Sequence, residues 1–219
     1  FVAYRWGGTP SGSTVELGIM FPENVVPAHG VAVSPDGRRV AAGTTGRLRQ
    51  IWMHSLETGE TRAVPGTERS AFPFWSPDGS RLAFFQAGVL RALNLSDGTL
   101  SEICKASSAV GGTWTADGRI IIAQDGQLFA VRATGGEPKL LTRMKVPESL
   151  SNPQLLPDGR HVLFYARDLS GGWAAAANLE TGKVQRLVAS DGPAVFTAPD
   201  RLLYVRGAAI VVQAFNPAT

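Results

Sequence analysis

The segment Phe72-Pro73-Phe74-Trp75-Ser76-Pro77-Asp78-Gly79-Ser80-Arg81-Leu82-Ala83-Phe84 decides the fold. An aromatic run leads into a tight turn, and a basic residue followed by an aliphatic strand leads out of it. Pro77 presets φ at the second turn position, Asp78 tolerates the third, and Gly79 takes the left-handed conformation. This chemistry predicts a type I turn closing into a bulge between two antiparallel strands.

Working outward, the same turn recurs. Ser34-Pro35-Asp36-Gly37 matches it fully, and degraded copies stand at Thr115-Ala116-Asp117-Gly118, Leu156-Pro157-Asp158-Gly159 and Ala198-Pro199-Asp200-Arg201. The aspartates at 36, 78, 117, 158 and 200 are spaced by 42, 39, 41 and 42 residues. Asp36, Gly37, Asp78, Gly79, Asp117, Gly118, Asp158 and Gly159 are therefore read as structural turn residues. A β-rich run follows each turn: Arg39 to Ala42, Arg81 to Phe85, Arg119 to Ala123, His161 to Tyr165 and Leu202 to Val205. A second hairpin signal follows about twenty residues later, at Thr58-Gly59, Asp97-Gly98, Gly135-Gly136 and Thr181-Gly182.

Four strands in ~41 residues, repeated, are the signature of a propeller blade. The predicted fold class is all-β: a β-propeller of four-stranded antiparallel blades, about five of them present, as a fragment of a larger propeller. A sandwich needs no equal period, and a β-helix needs a shorter one. The predicted organisation is a lead-in over 1–29 and a propeller over 30–219, with repeats at about 30–71, 72–110, 111–150, 151–192 and 193–219.

Composition agrees. The chain of 219 residues holds 25 Gly and 14 Pro, about 18% against a usual ~12%, as two turns per repeat demand. No apolar run reaches the ~18 residues of a membrane-spanning helix. The net charge of +3 is scattered rather than striped, which argues against a nucleic-acid partner. A lone Cys104 excludes an intrachain disulfide.

The pattern of aromatic residue, Ser-Pro-Asp-Gly, basic residue and aliphatic strand resembles the TolB-like, WD-like β-propeller repeat over roughly residues 30 to 215. A narrower resemblance is to the extracytoplasmic propellers of bacterial serine/threonine protein kinases. It is carried by Leu56-Glu57-Thr58-Gly59, Val64-Pro65-Gly66-Thr67-Glu68, Gly111-Gly112-Thr113-Trp114, Leu156-Pro157-Asp158-Gly159-Arg160-His161 and Leu203-Tyr204-Val205-Arg206-Gly207. That resemblance implies a sensing or protein-binding module on the periplasmic face of a bacterial membrane protein, with a membrane helix before it. A cytoplasmic location is the alternative. A competing reading is the substrate-gating propeller of a prolyl-oligopeptidase-type serine hydrolase whose catalytic domain is absent.

Phe1 is not a start methionine, which reads as a fragment or a processed chain. Gly7 to Ser13 reads as a linker, and Thr14 to Phe21 as an apolar strand. Either that strand completes a five-bladed ring or the chain is a piece of a larger one, and the second reading is favoured.

Catalytic and metal motifs are missing. The three histidines, His29, His54 and His161, lack zinc-helix spacing. There is no nucleophile elbow, and one Asp per turn does not make a calcium loop. The reading is a non-enzyme without cofactor or metal, taking a protein, a peptide or a small ligand at the channel mouth. Loops before the inner strands and the 167–173 connection supply the candidate contacts: His29, Arg69, Glu148, Asn152, Arg167 and Asp168. Trp75 and Trp114, placed alike before their turns, are expected to pack between blades.

Overall fold

The computed structural model describes residues 19, 21–23, 25–46, 49–142 and 149–216. Most of the Thr14 to Phe21 reading, and Glu148, lie outside these residues. The chain forms five antiparallel sheets. Blade 1 holds β1 (Val26–Val33), β2 (Arg39–Thr45), β3 (Ile51–Ser55) and β4 (Thr61–Ala63). Blade 2 holds β5 (Ser70–Trp75), β6 (Arg81–Gln86), β7 (Val89–Asn94) and β8 (Leu100–Lys105). Blade 3 has β9 (Gly112–Trp114), β10 (Arg119–Gln124), β11 (Gln127–Arg132) and β12 (Lys139–Leu140). Blade 4 has β13 (Ser149–Leu155), β14 (His161–Asp168), β15 (Gly171–Asn178) and β16 (Val184–Ala189). Blade 5 shows three strands among the described residues: β17 (Val195–Thr197), β18 (Arg201–Arg206) and β19 (Ala209–Ala214).

The turns form as their residues dictate. Gly37, Gly79, Gly118 and Gly159 all have φ between 66° and 80°, where a side chain is disfavoured. Each turn aspartate spends its carboxylate on its own turn. Asp78 Oδ1 accepts from Ser76 Oγ at 2.6 Å and from the Ser80 N–H at 3.0 Å. These bonds, the Ser76 hydroxyl foremost and then the Ser80 N–H, hold its carboxyl down to about 2. The folded value lies below the ordinary unfolded one of about 3.9. The stabilisation is therefore present above about pH 4 and is lost as pH falls toward about 2. Replacing Asp78→Asn should flatten the acid limb of a stability-versus-pH curve in that window. An unchanged limb would show that this turn is not linked to protonation.

The cores lie between blades. Ala41, Ile51 and Met53 of blade 1 pack on Trp75, Leu82 and Phe84 of blade 2. Phe74, Phe85 and Leu90 of blade 2 pack on Trp114, Ile120 and Ile122 of blade 3. Ile121 and Leu128 of blade 3 meet Phe164 and Trp173 of blade 4, and Leu163 of blade 4 meets Phe196 and Tyr204 of blade 5. Polar bonds cross the same seams: Trp75 Nε1 donates to Ala32 O at 3.0 Å, and Arg39 Nη2 donates to Gly79 O at 3.0 Å.

The two end blades keep apolar faces open. Val31 and Val33 of β1 are 63% and 58% exposed, and Ile210 and Val212 of β19 are 73% and 57% exposed. In blade 2 the residues at the positions of Val31 and Val33, Pro73 and Trp75, are buried against their neighbour.

Candidate binding channel

The five blades turn their inner edges toward a shared open cavity of about 580 Å³. Its walls come from β1, β5, β9, β13 and the segment Pro193–Val195. One position per repeat shapes it. Gly30, Phe72, Gly111 and Asn152, spaced by about one blade, all have positive φ, of 85°, 53°, 137° and 53°. The inner strands of blades 1, 2 and 4 carry an irregularity of register at this point, as an added left-handed residue in a ladder requires.

The glycines and the larger residues interlock. A Cβ on Gly30 would meet Phe72 Cα at 3.1 Å, and one on Gly111 would meet Pro153 Cδ at 3.0 Å. Gly30 and Gly111 therefore give room to the Phe72-Pro73 and Asn152-Pro153 pairs of the following blades. A bulky residue at positive φ is strained, at roughly 1–3 kcal/mol, and such residues cluster at ligand sites.

Among the described residues the cavity lining contains no charged side chain. Its polar members are mostly occupied. Gln154 Nε2 donates to Phe196 O at 3.0 Å, and the Phe196 N–H donates to Gln154 Oε1 at 2.8 Å, which ties blade 4 to blade 5. Thr113 Oγ1 accepts the Leu155 N–H at 3.3 Å, and Ser76 is committed to its turn. The Asn152 side chain is exposed and has no bond among the described residues.

Of the six contacts expected from the sequence, the structure places Asn152 on this cavity. It lies inside β13 rather than in the loop before it. His29 likewise falls within β1, and its side chain is outside the described part. Arg69 is exposed at φ 60° and donates its N–H to Arg49 O at 2.7 Å, away from the cavity. Arg167 and Asp168 are not in a long loop. β14 and β15 run on, their register pairing Asp168 with Gly171, so only Leu169 and Ser170 connect them. Asp168 Oδ1 accepts the Ser170 N–H at 2.7 Å and so shapes that hairpin. Phe72, Gly30 and Gly111 were missed as site residues. Their signal was a shared offset from the turn, visible only once the repeats are superimposed.

Cys104 is buried, which pushes its thiol up to about 11, so at neutral pH it is a protonated core residue and a poor nucleophile.

No protein-family model matches the chain. It is 30% identical over 138 residues to the Bacillus subtilis (strain 168) protein named "Uncharacterized peptidase YuxL", covering 61% of this chain and 21% of that one. Among solved structures, TolB from Acinetobacter baumannii superposes with a TM-score of 0.72 at 20% identity, covering 84% of this chain and 51% of that one. A TolB of Agrobacterium tumefaciens gives 0.68 at 20% identity, covering 85% and 73%. A chain of a nidogen/laminin complex gives 0.67 at 12% identity, covering 85% and 75%. The chain thus spans about a fifth of the curated relative and about half of the Acinetobacter TolB chain. At these identities the structural likeness establishes the fold.

Proposed function

From a chain that folds as a TolB-like β-propeller, we propose a non-catalytic binding module that takes a protein or peptide partner at the mouth of its central channel. The observation that carries this reading is the open, uncharged cavity with one unpartnered amide, Asn152, on a strained inner strand. Rigid blades hold the contact surface, as binding loops and edges require. The described lining offers a charged group on a partner nothing to pair with. The partner segment is therefore uncharged where it meets the channel, and its binding should be little affected by salt.

The finer reading makes this the extracytoplasmic sensor of a bacterial signalling protein, of the kinase-associated kind its motifs resemble. It also takes these blades as part of a larger propeller. The open apolar faces of blades 1 and 5 support that, because apolar surface of this kind is normally covered. A second reading, the substrate-gating propeller of a peptidase, is favoured by the similarity to YuxL.

Panning a random peptide display library on the purified chain tests the first reading. Recovered peptides should bind roughly tenfold more weakly to Asn152→Gly, about the worth of one hydrogen bond. The melting temperature should hold or rise, because glycine removes the left-handed penalty. Recovery of no channel-dependent binder would favour the gating reading. Peptide hydrolysis by the purified chain would overturn the non-catalytic assignment.

A further inference from the structure

The five repeats serve as controls for one another, and blade 3 departs from the rest at its outer edge. Every second strand opens on a basic or imidazole residue: Arg39, Arg81, Arg119, His161 and Arg201. The residue directly across the ladder is Ser55, Asn94, Asn178 or Ala214 in blades 1, 2, 4 and 5. In three of those blades it has a local task, holding the next hairpin. Ser55 Oγ accepts the Thr58 N–H at 3.2 Å, Asn94 Oδ1 the Ser96 N–H at 3.0 Å, and Asn178 Oδ1 the Thr181 N–H at 2.9 Å.

In blade 3 that position is Arg132, directly opposite Arg119. The substitution costs the fold twice. An arginine has no acceptor with which to hold the hairpin, and like charges directly across a ladder repel. Lys139, opposite Ala130, stands on the same face of the sheet by the two-residue alternation of strands. Arg119, Arg132 and Lys139 all line a recess of about 370 Å³ with Gly135, Gly136 and Glu137. Asp117 holds Arg119 through Nε and Nη2, each at 2.8 Å. Neither Arg132 nor Lys139 has a side-chain partner among the described residues. With Glu137 and Asp117 both counted, positive charge remains in surplus around the recess.

We propose that this recess on blade 3 is an oxyanion site, separate from the channel, that binds a phosphate group between Arg132, Lys139 and Arg119. N–H donors on three side chains around one recess suit a group with three or four oxygens better than a carboxylate with two. An exposed concavity at a blade edge can admit inorganic phosphate or a phosphoryl group carried by a larger molecule, and the chemistry of capture is the same.

Titration of the chain with inorganic phosphate at constant ionic strength, followed by amide NMR, tests the site. The Gly135 and Gly136 signals should shift saturably, and acetate should not reproduce the shift. In Arg132→Asn the phosphate affinity should fall at least roughly tenfold, as loss of a charged hydrogen-bond donor implies. Thermal stability should hold or rise, because asparagine restores the hairpin cap of blades 2 and 4. Lys139→Gln, on an exposed two-residue strand, provides a second variant with the same expected loss. Tighter binding of glycerol 3-phosphate would mark an organic phosphate as the source, and equal binding would mark free phosphate. Absence of a saturable shift, an undiminished shift in both variants, or an equal response to acetate would overturn the proposal.

Discussion

Gly182→Ala should destabilise this protein by more than about 4 kcal/mol, a loss reserved for severe steric or core defects. The same change at Gly59 or Gly98 should cost only about 1–2 kcal/mol. The three glycines occupy one position of the repeat. Each donates its N–H to the carbonyl four residues back, Ser55, Asn94 or Asn178, at 2.9 Å, and each has φ near 70°. All three therefore incur the left-handed penalty when a Cβ is added. They differ in what lies beyond. A Cβ on Gly59 or Gly98 meets nothing within 4 Å, whereas one on Gly182 would lie 2.2 Å from Leu141 O. That oxygen belongs to a residue whose own N–H is bonded to Leu128 O, so relief requires displacing backbone tied into blade 3. Urea denaturation of the three variants under identical conditions gives the comparison. Equal losses at the three positions would show that the contact between Gly182 and Leu141 is not rigid.

Trp75→Ala should cost about 3–5 kcal/mol, the usual range for removing a large buried aromatic. Against a typical total stability of about 5–15 kcal/mol, that is a large share. Three contributions converge on this ring. It is 7% exposed and packs with Ala41, Met53, Leu82 and Phe84 across the first seam. Its Nε1 donates to Ala32 O, and the Arg39 guanidinium stands 4.8 Å from the ring centroid. Trp75→Phe should retain most of the packing and lose about 1–2 kcal/mol through the missing hydrogen bond and weakened cation–π contact. If the two variants are equally unstable, the polar contacts rather than the packing hold the seam. Chemical denaturation followed by far-UV circular dichroism separates these outcomes.

Much of the fold was legible because the repeat is built from short-range chemistry. The Ser-Pro-Asp-Gly turn closes on itself through bonds spanning two to five residues, such as Asp78 with Ser80 and Ser76 with Arg81. The runs Arg81 to Phe85 and Arg119 to Ala123 became strands at almost those bounds. Trp75 and Trp114, expected between blades, are buried in the seams. The 167–173 segment misled for an equally local reason. Its Gly-rich composition reads as a loop, but glycine pairs in a ladder when its partners do. Here Gly171 and Gly172 face Asp168 and Arg167 in register, and a Cβ on Gly172 would clash with Tyr165 Oη and Ser190 O.

The candidate sites were less legible, since polar loop residues carry the signal in the sequence whereas the channel is lined mostly by strands. Asn152 was found by its polarity. Phe72 reads from the sequence only as part of the aromatic run before its turn, whereas its left-handed backbone and its place on the cavity make it a candidate for the site. Arg132 stands out only when its counterparts Ser55, Asn94 and Asn178 are set beside it by the ladder register.

By itself the sequence determined the repeat, its two turns and the strands between them, because each depends on residues within a few positions of one another. Tertiary structure alone decided which atoms meet across a seam. Those meetings join residues one blade apart, as with Arg39 and Gly79, Trp75 and Ala32, Thr113 and Leu155, and Gln154 and Phe196. Three Gly residues with the same local chemistry therefore differ in what replacing them costs, and a channel lining without charge among the described residues emerges only where the inner strands of separate blades meet.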